Sequence, residues 1–182
     1  MLSLLKLMFQ PIEVPRPDPH KGRNMFEDIF VVVKGINGES HDATYPDAIE
    51  AVSWQWKITQ QATMHSGSGG GAAKASVHDL MFTHRIDRAS PNLASYCFQG
   101  KHIPEVVLIQ RKAGGVPHDY LGISMYDVIV TQVEPFSTGM LAMEHVALSF
   151  ARMKQEYKPQ NALGGSQGVV TGLIDVKANR AS

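Results

Sequence analysis

Leu121-Gly122-Ile123-Ser124-Met125-Tyr126-Asp127-Val128-Ile129-Val130-Thr131-Gln132-Val133 decides the fold. Its apolar residues alternate with small or polar ones, the two-residue period of a strand with one buried face. The parity changes midway: Leu121, Ile123 and Met125 are odd, Val128 and Val130 even. An inserted residue near Tyr126-Asp127 would return the apolar side chains to one face, as a β-bulge does. The same change recurs downstream, where Val146, Leu148 and Phe150 are even and Met153 and Tyr157 odd. Two long strands that both bend in this way predict a sheet that curls and closes.

Shorter strands flank this pair. Residues 29–34 are a mostly β-branched run that is apolar up to Lys34, and the strand stops at the Asn37-Gly38 turn signal. Val52, Trp54, Trp56 and Ile58 alternate with Ser53, Gln55 and Lys57. The two tryptophans therefore point into a core, and Ser53, Gln55 and Lys57 point away from it. Residues 77–83, 106–112 and 169–176 read as further strands. One helix interrupts them, in Ser90-Pro91-Asn92-Leu93-Ala94-Ser95-Tyr96-Cys97-Phe98-Gln99-Gly100. Ser90 is placed to cap it, Pro91 suits the first helical position, and Gly100 can take the left-handed conformation that ends it. Leu93, Tyr96 and Cys97 give it one apolar face.

Composition narrows the function. The chain has 182 residues, with seventeen basic and seventeen acidic side chains that cancel. That balance gives no sign of nucleic acid or a charged membrane surface as partner. Cys97 is the only cysteine, so no internal disulfide forms, and it is expected in the packing of the helix. No apolar run approaches the roughly 20 residues that span a bilayer. Residues 1–24 carry Lys6 within an apolar stretch and then Pro11, Pro15, Pro17 and Pro19. This is not the order of a cleaved signal peptide. They are expected to be a disordered extension before a single domain at 25–182.

Several chemical motifs are approached and not met. Gly67, Gly69, Gly70 and Gly71 with Lys74 suggest a phosphate loop, but that motif needs Gly-Lys-Ser/Thr directly before a helix, and here a strand follows. Gly164-Gly165-Ser166-Gln167-Gly168 fits the nucleophile-elbow pattern. The chemistry requires a strand-to-helix turn, whereas Val169-Val170 begins a strand and no histidine lies downstream. Eight histidines, among them His65, His78, His84, His102 and His145, show no ligand spacing, so no metal or other cofactor is expected. They read as solvated or hydrogen-bonded side chains.

Eight pieces in order resemble the haemolysin-coregulated proteins, the tube-forming proteins of bacterial type VI secretion. They are Gly35-Ile36-Asn37-Gly38-Glu39-Ser40, Ser53-Trp54-Gln55-Trp56, the loop Thr63-Met64-His65-Ser66-Gly67-Ser68-Gly69-Gly70-Gly71, and Asp79-Leu80-Met81-Phe82-Thr83. Then come Ser90-Pro91-Asn92-Leu93, Gly100-Lys101-His102-Ile103-Pro104-Glu105, Arg111-Lys112-Ala113-Gly114-Gly115 and Tyr157-Lys158-Pro159-Gln160. The resemblance covers about residues 25–179. It implies a mainly β fold, a closed or nearly closed antiparallel barrel with one short flanking helix. It also implies non-catalytic subunits that form six-membered rings and stack into a tube, with residues 63–71 contacting the next ring. Ser53, Gln55 and Lys57 would face the lumen, where small effector proteins ride. A spike protein and a contractile sheath are the implied partners. The implied itinerary is assembly in the cytoplasm and then secretion without a signal peptide. Where the family usually has a small serine between the tryptophans, this chain has Gln55, so cargo preference does not carry over.

Two other readings compete: a secreted hydrolase acting through Ser166, and a monomeric barrel with a small ligand inside. An ester-hydrolysis assay of the chain and of Ser166→Ala should give the same background rate. Activity that disappears with the substitution would promote the hydrolase.

Overall fold

The computed structural model describes residues 27–60, 75–112, 117–160 and 168–181. The extension 1–24, the loop residues 63–71 and Ser166 lie outside the described residues. The elements run β1 (Glu27–Val33), β2 (Ile49–Gln55), β3 (Ile58–Thr59), β4 (Ser76–Val77), β5 (Leu80–Arg85), α1 (Ser90–Gln99), β6 (His102–Lys112), β7 (His118–Ser137), β8 (Ala142–Tyr157), β9 (Val170–Asp175) and β10 (Arg180–Ala181). Strands pair in the order β8-β5-β2-β1-β6-β7, and β7 pairs back onto β8. This closes an antiparallel barrel of the kind that the long bent strands predict. Strand β9 takes the β8 edge at Arg152–Tyr157, beyond the stretch that β5 occupies.

Inward side chains fill the barrel. Val31, Ile49, Leu80, Leu108, Ile123, Met125, Val128, Val146 and Leu148 are all fully buried in one cluster. Such filling is usual in small barrels, and it gives the interior the character of a core rather than a binding cavity.

The change of parity is real but is made without an insertion. Ile103, Val128 and Phe150 lie side by side, as do Val106, Met125 and Met153, and all six are buried. Between these two rows lie Pro104, Asp127 and Ala151. Asp127 takes a left-handed φ of 53°, which lets β7 turn over there. Three neighbouring strands thus reverse parity at one level and stay in register. The bulges in β7 lie elsewhere, at Tyr120 opposite Gln110 and Arg111 and between Val130 and Gln132. A further bulge lies in β2 between Ala51 and Ser53; it leaves Val52 exposed and turns Trp54 inward.

Helix α1 starts differently from the expected cap. Ser90 lies inside the helix and is buried, and Ala89 is the capping residue with no side-chain bond. The side chains instead secure the preceding turn. The Ala89 amide donates to Asp87 Oδ1 at 2.8 Å, and the Asp87 amide donates to Ser90 Oγ at 3.2 Å. Burial pushes the Asp87 carboxyl up. At the other end Gly100 adopts φ 60°, its amide donating to Cys97 O while the Lys101 amide donates to Tyr96 O. Leu93 is fully buried and pins the helix to the barrel, whereas Cys97 is half-buried.

The segment between β1 and β2 straps the outside of β1 and β6. Gly38 passes so close to Ala48 that an added Cβ would lie 2.4 Å from its carbonyl oxygen, so only glycine fits. Phe30, Ala48 and Ile109 form a small outer cluster with Tyr45. Over it lies Arg111, buried, paired to both carboxylate oxygens of Asp42 and, at 3.2 Å, to Asp28. Its guanidinium stands 4.7 Å from the Phe30 ring.

Its hydrogen bonds hold the Asp42 carboxyl at about 2, below the ordinary carboxylate value. A carboxyl held low in the folded state stabilises the fold above its unfolded value of 3.8, and that stabilisation is lost as pH falls towards 2. Asp42→Asn should therefore cost about 2 kcal/mol at pH 7 in urea unfolding, and the difference should shrink towards zero near pH 2. A deficit unchanged with pH would remove this assignment.

Candidate functional site: the outer face of a four-stranded sheet

Register places two rows of outward side chains across β2, β5, β8 and β7. Ser53 stands opposite Thr83, Thr83 opposite His145, and His145 opposite Glu134. One step along, Gln55, Met81, Ala147 and Gln132 align in the same way. The bulges in β2 and β7 put these side chains outside, while Trp54, Phe82, Val146 and Val133 turn inward against the core.

Ser53, Trp54, Gln55, Met81, Thr83 and His145 line a shallow open concavity of about 360 Å³ on this face. Thr83 Oγ1 and His145 Nδ1 share a hydrogen bond of 2.8 Å. The Phe136 ring stacks on the His145 imidazole at 4.5 Å. Gln55 Nε2 lies 3.6 Å from Met81 Sδ, a weak contact that leaves its amide able to bind something else. The surface is therefore polar, with soft and aromatic groups in its floor. It has the donors, acceptors and ring faces to hold another polypeptide. Among the described residues no group of three or more histidine, cysteine, aspartate or glutamate side chains is placed to hold a metal ion.

Of the residues singled out in the sequence, Ser53 and Gln55 come together here. Lys57 lies two residues past β2, exposed and outside the lining. Trp54 and Trp56 are half-buried against the core. The Trp54 indole N–H donates to Gln110 Oε1 at 2.8 Å, and Gln110 in turn donates to Glu27. Tyr120 also donates to Glu27, at 2.9 Å, and its phenol is pushed up to about 12, first by burial and then by that carboxylate. The Trp56 N–H donates to His78 O at 3.0 Å. The sequence reading weighs His145 only as a metal ligand and assigns Met81, Thr83 and Phe136 to no site. The parity of β8 held the signal for His145, since Val146 and Leu148 point inward, but only the register shows that it meets Thr83.

Both lateral edges of this sheet are open. Strand β1 pairs with β2 only as far as Ala51, and β6 pairs with β7 only as far as Ile129. Among the described residues no strand pairs beyond Ser53–Gln55 on one side or Gln132–Ser137 on the other.

A family model described as "Type VI secretion system effector, Hcp" matches residues 30–157. The chain belongs to the Hcp family. It is 40% identical to Protein hcp1 of Pseudomonas aeruginosa over 147 residues, covering 79% of this chain and 91% of that one. Among solved Hcp structures, Hcp1 of Salmonella typhimurium is 44% identical with a TM-score of 0.71, covering 86% of this chain and 99% of the other. A type VI secretion system effector of Yersinia pestis is 37% identical with a TM-score of 0.66, covering 82% and 100%. The Hcp match runs from the middle of β1 to the end of β8 and so includes all four strands of the concave face.

Trp54→Phe removes the donor to Gln110 together with part of the ring that packs against the core. It should cost about 1–2 kcal/mol in urea unfolding, with oligomer size unchanged. An unaltered midpoint would show that the indole bond contributes nothing.

Proposed function

We propose that this chain is the tube subunit of a type VI secretion machine and that its copies close edge to edge into six-membered rings. The observation that carries this reading is the sheet β2-β5-β8-β7, both of whose lateral edges are unpaired among the described residues. An exposed edge exposes backbone donors and acceptors to any passing strand, and a neighbour that covers it removes the hazard. Two different edges make a head-to-tail contact, and a head-to-tail contact whose rotation closes gives a ring without free ends.

In such a ring the polar rows of Ser53, Gln55, Thr83 and His145 face the hole. Small effector proteins bind there and are shielded from proteolysis. Gln55 extends further into that space than a serine and brings both a donor and an acceptor, so it selects cargo with matching polar groups. Rings stack through residues 63–71 into a stiff hollow rod. The rod carries the spike protein, is surrounded by the contractile sheath, and leaves the cytoplasm by contraction rather than through a signal peptide. The role requires assembly and conduction, with no bond-making chemistry.

Deleting residues 67–71 should leave ring-sized particles in sedimentation while stacks disappear from electron micrographs and secretion falls. Normal secretion by this variant would contradict the role given to the loop.

A further inference from the structure

Strand β5 turns Leu80, Phe82 and His84 inward and Met81, Thr83 and Arg85 outward. A titratable ring therefore ends a row of core side chains. His84 is 0% exposed and stands opposite Ala51 of β2 and Glu144 of β8. Its Nε2 lies 2.7 Å from Glu144 Oε1, and Glu144 is itself 2% exposed. The Phe82 ring lies 5.5 Å away. Nδ1 is buried without a hydrogen bond, and Asp87 Oδ1, in the turn that enters α1, stands 4.0 Å from it. Glu39, from the segment between β1 and β2, adds its charge on the Asp87 side. The neighbours from β2 and β7 are Ala51 and Pro135, and α1 contributes Ser90, all uncharged. The Arg88 side chain turns away to Gly38 O and Asp47.

A buried polar atom without a partner costs free energy and calls for a cause. With the ring neutral and its proton on Nε2, Nδ1 is a stranded lone pair and Glu144 a buried carboxylate without a counter-charge. One added proton removes both faults. The ring then donates through Nε2 to Glu144 and turns Nδ1–H toward Asp87; with the proton on Glu144 instead, the buried pair still holds it. We infer that His84, Glu144 and Asp87 form a proton-held clasp that fastens the entry turn of α1 to the end of β5 and β8. The turn depends on Asp87, whose Oδ1 also accepts the Ala89 amide, and beyond it Ala89 and Leu93 are fully buried. A histidine that gains such partners on folding stabilises the fold below its ordinary value of about 6.5, and the gain is lost as pH rises. Without the proton, Glu144 and Asp87 face each other across an uncharged ring, and the turn loosens. The clasp lies within one chain and does not depend on the ring reading.

The test compares urea unfolding of the full chain with that of His84→Gln and Asp87→Asn, each at about pH 5.5 and about pH 8.5 and at one chain concentration. Glutamine keeps a donor for Glu144, and asparagine keeps the acceptor for Ala89, but neither substitute titrates. The other histidines are common to all three chains and cancel. The unsubstituted chain should be favoured over His84→Gln at the lower pH, and that advantage should fall roughly tenfold in the unfolding equilibrium constant by the higher pH. Its stability relative to Asp87→Asn should fall in the same direction. An advantage that stays constant or grows with pH would overturn the inference, since His84 would then be a neutral hydrogen-bonding side chain. Should His84→Gln fail to fold, Asp87→Asn decides by the same comparison.

Discussion

Strands β7 and β8 outrun the barrel that they close. Every strand needs partners for its backbone groups, and β8 finds them along β7 for its whole length and along β5 and then β9 on its other edge. Strand β6 ends opposite Ile129, so among the described residues the last part of β7 has β8 on one side and no strand on the other. The same happens to β2 once β1 stops at Ala51. Closure at one level therefore leaves an open sheet at the next. The subunit is a finished barrel with an unfinished four-stranded sheet attached, and the proposed ring completes that sheet.

The two sides of the molecule are finished in different ways. Over β1 and β6 the connecting segment lies flat, and Arg111 ties it down through Asp42 and Asp28. A buried guanidinium costs free energy unless its donors are matched, and here two carboxylates and an aromatic face match them. That side needs no further cover. Over β2, β5, β8 and β7 no segment among the described residues plays the same part, and the side chains are small, polar or soft. In the proposed ring, a wall that holds cargo and later releases it is suited to such groups.

Much of the fold was legible because strands write their period into the chain. The even-odd change between Met125 and Val128 marked the level at which the barrel wall turns over, and the glycine and proline around residues 91–100 marked the helix. Physics beyond the local sequence decided the rest. An inserted residue and three strands reversing together give the same parity change in one strand. The Ser90 hydroxyl serves the preceding turn because Ala89, not Ser90, is the residue outside the helix. The displacement of Val52 by a bulge depends on how β2 meets β5. The concave face was half legible: Ser53 and Gln55 follow from the tryptophans beside them, while Thr83 and His145 meet only through pairing between strands more than 60 residues apart.

The central claim is that open edges on one subunit are completed by the next. Native mass spectrometry of the purified full chain, sprayed from a volatile near-neutral buffer, tests it most directly. The account predicts a dominant species of six chains. A dominant species of 20.0 kDa, the mass of one chain, would contradict it.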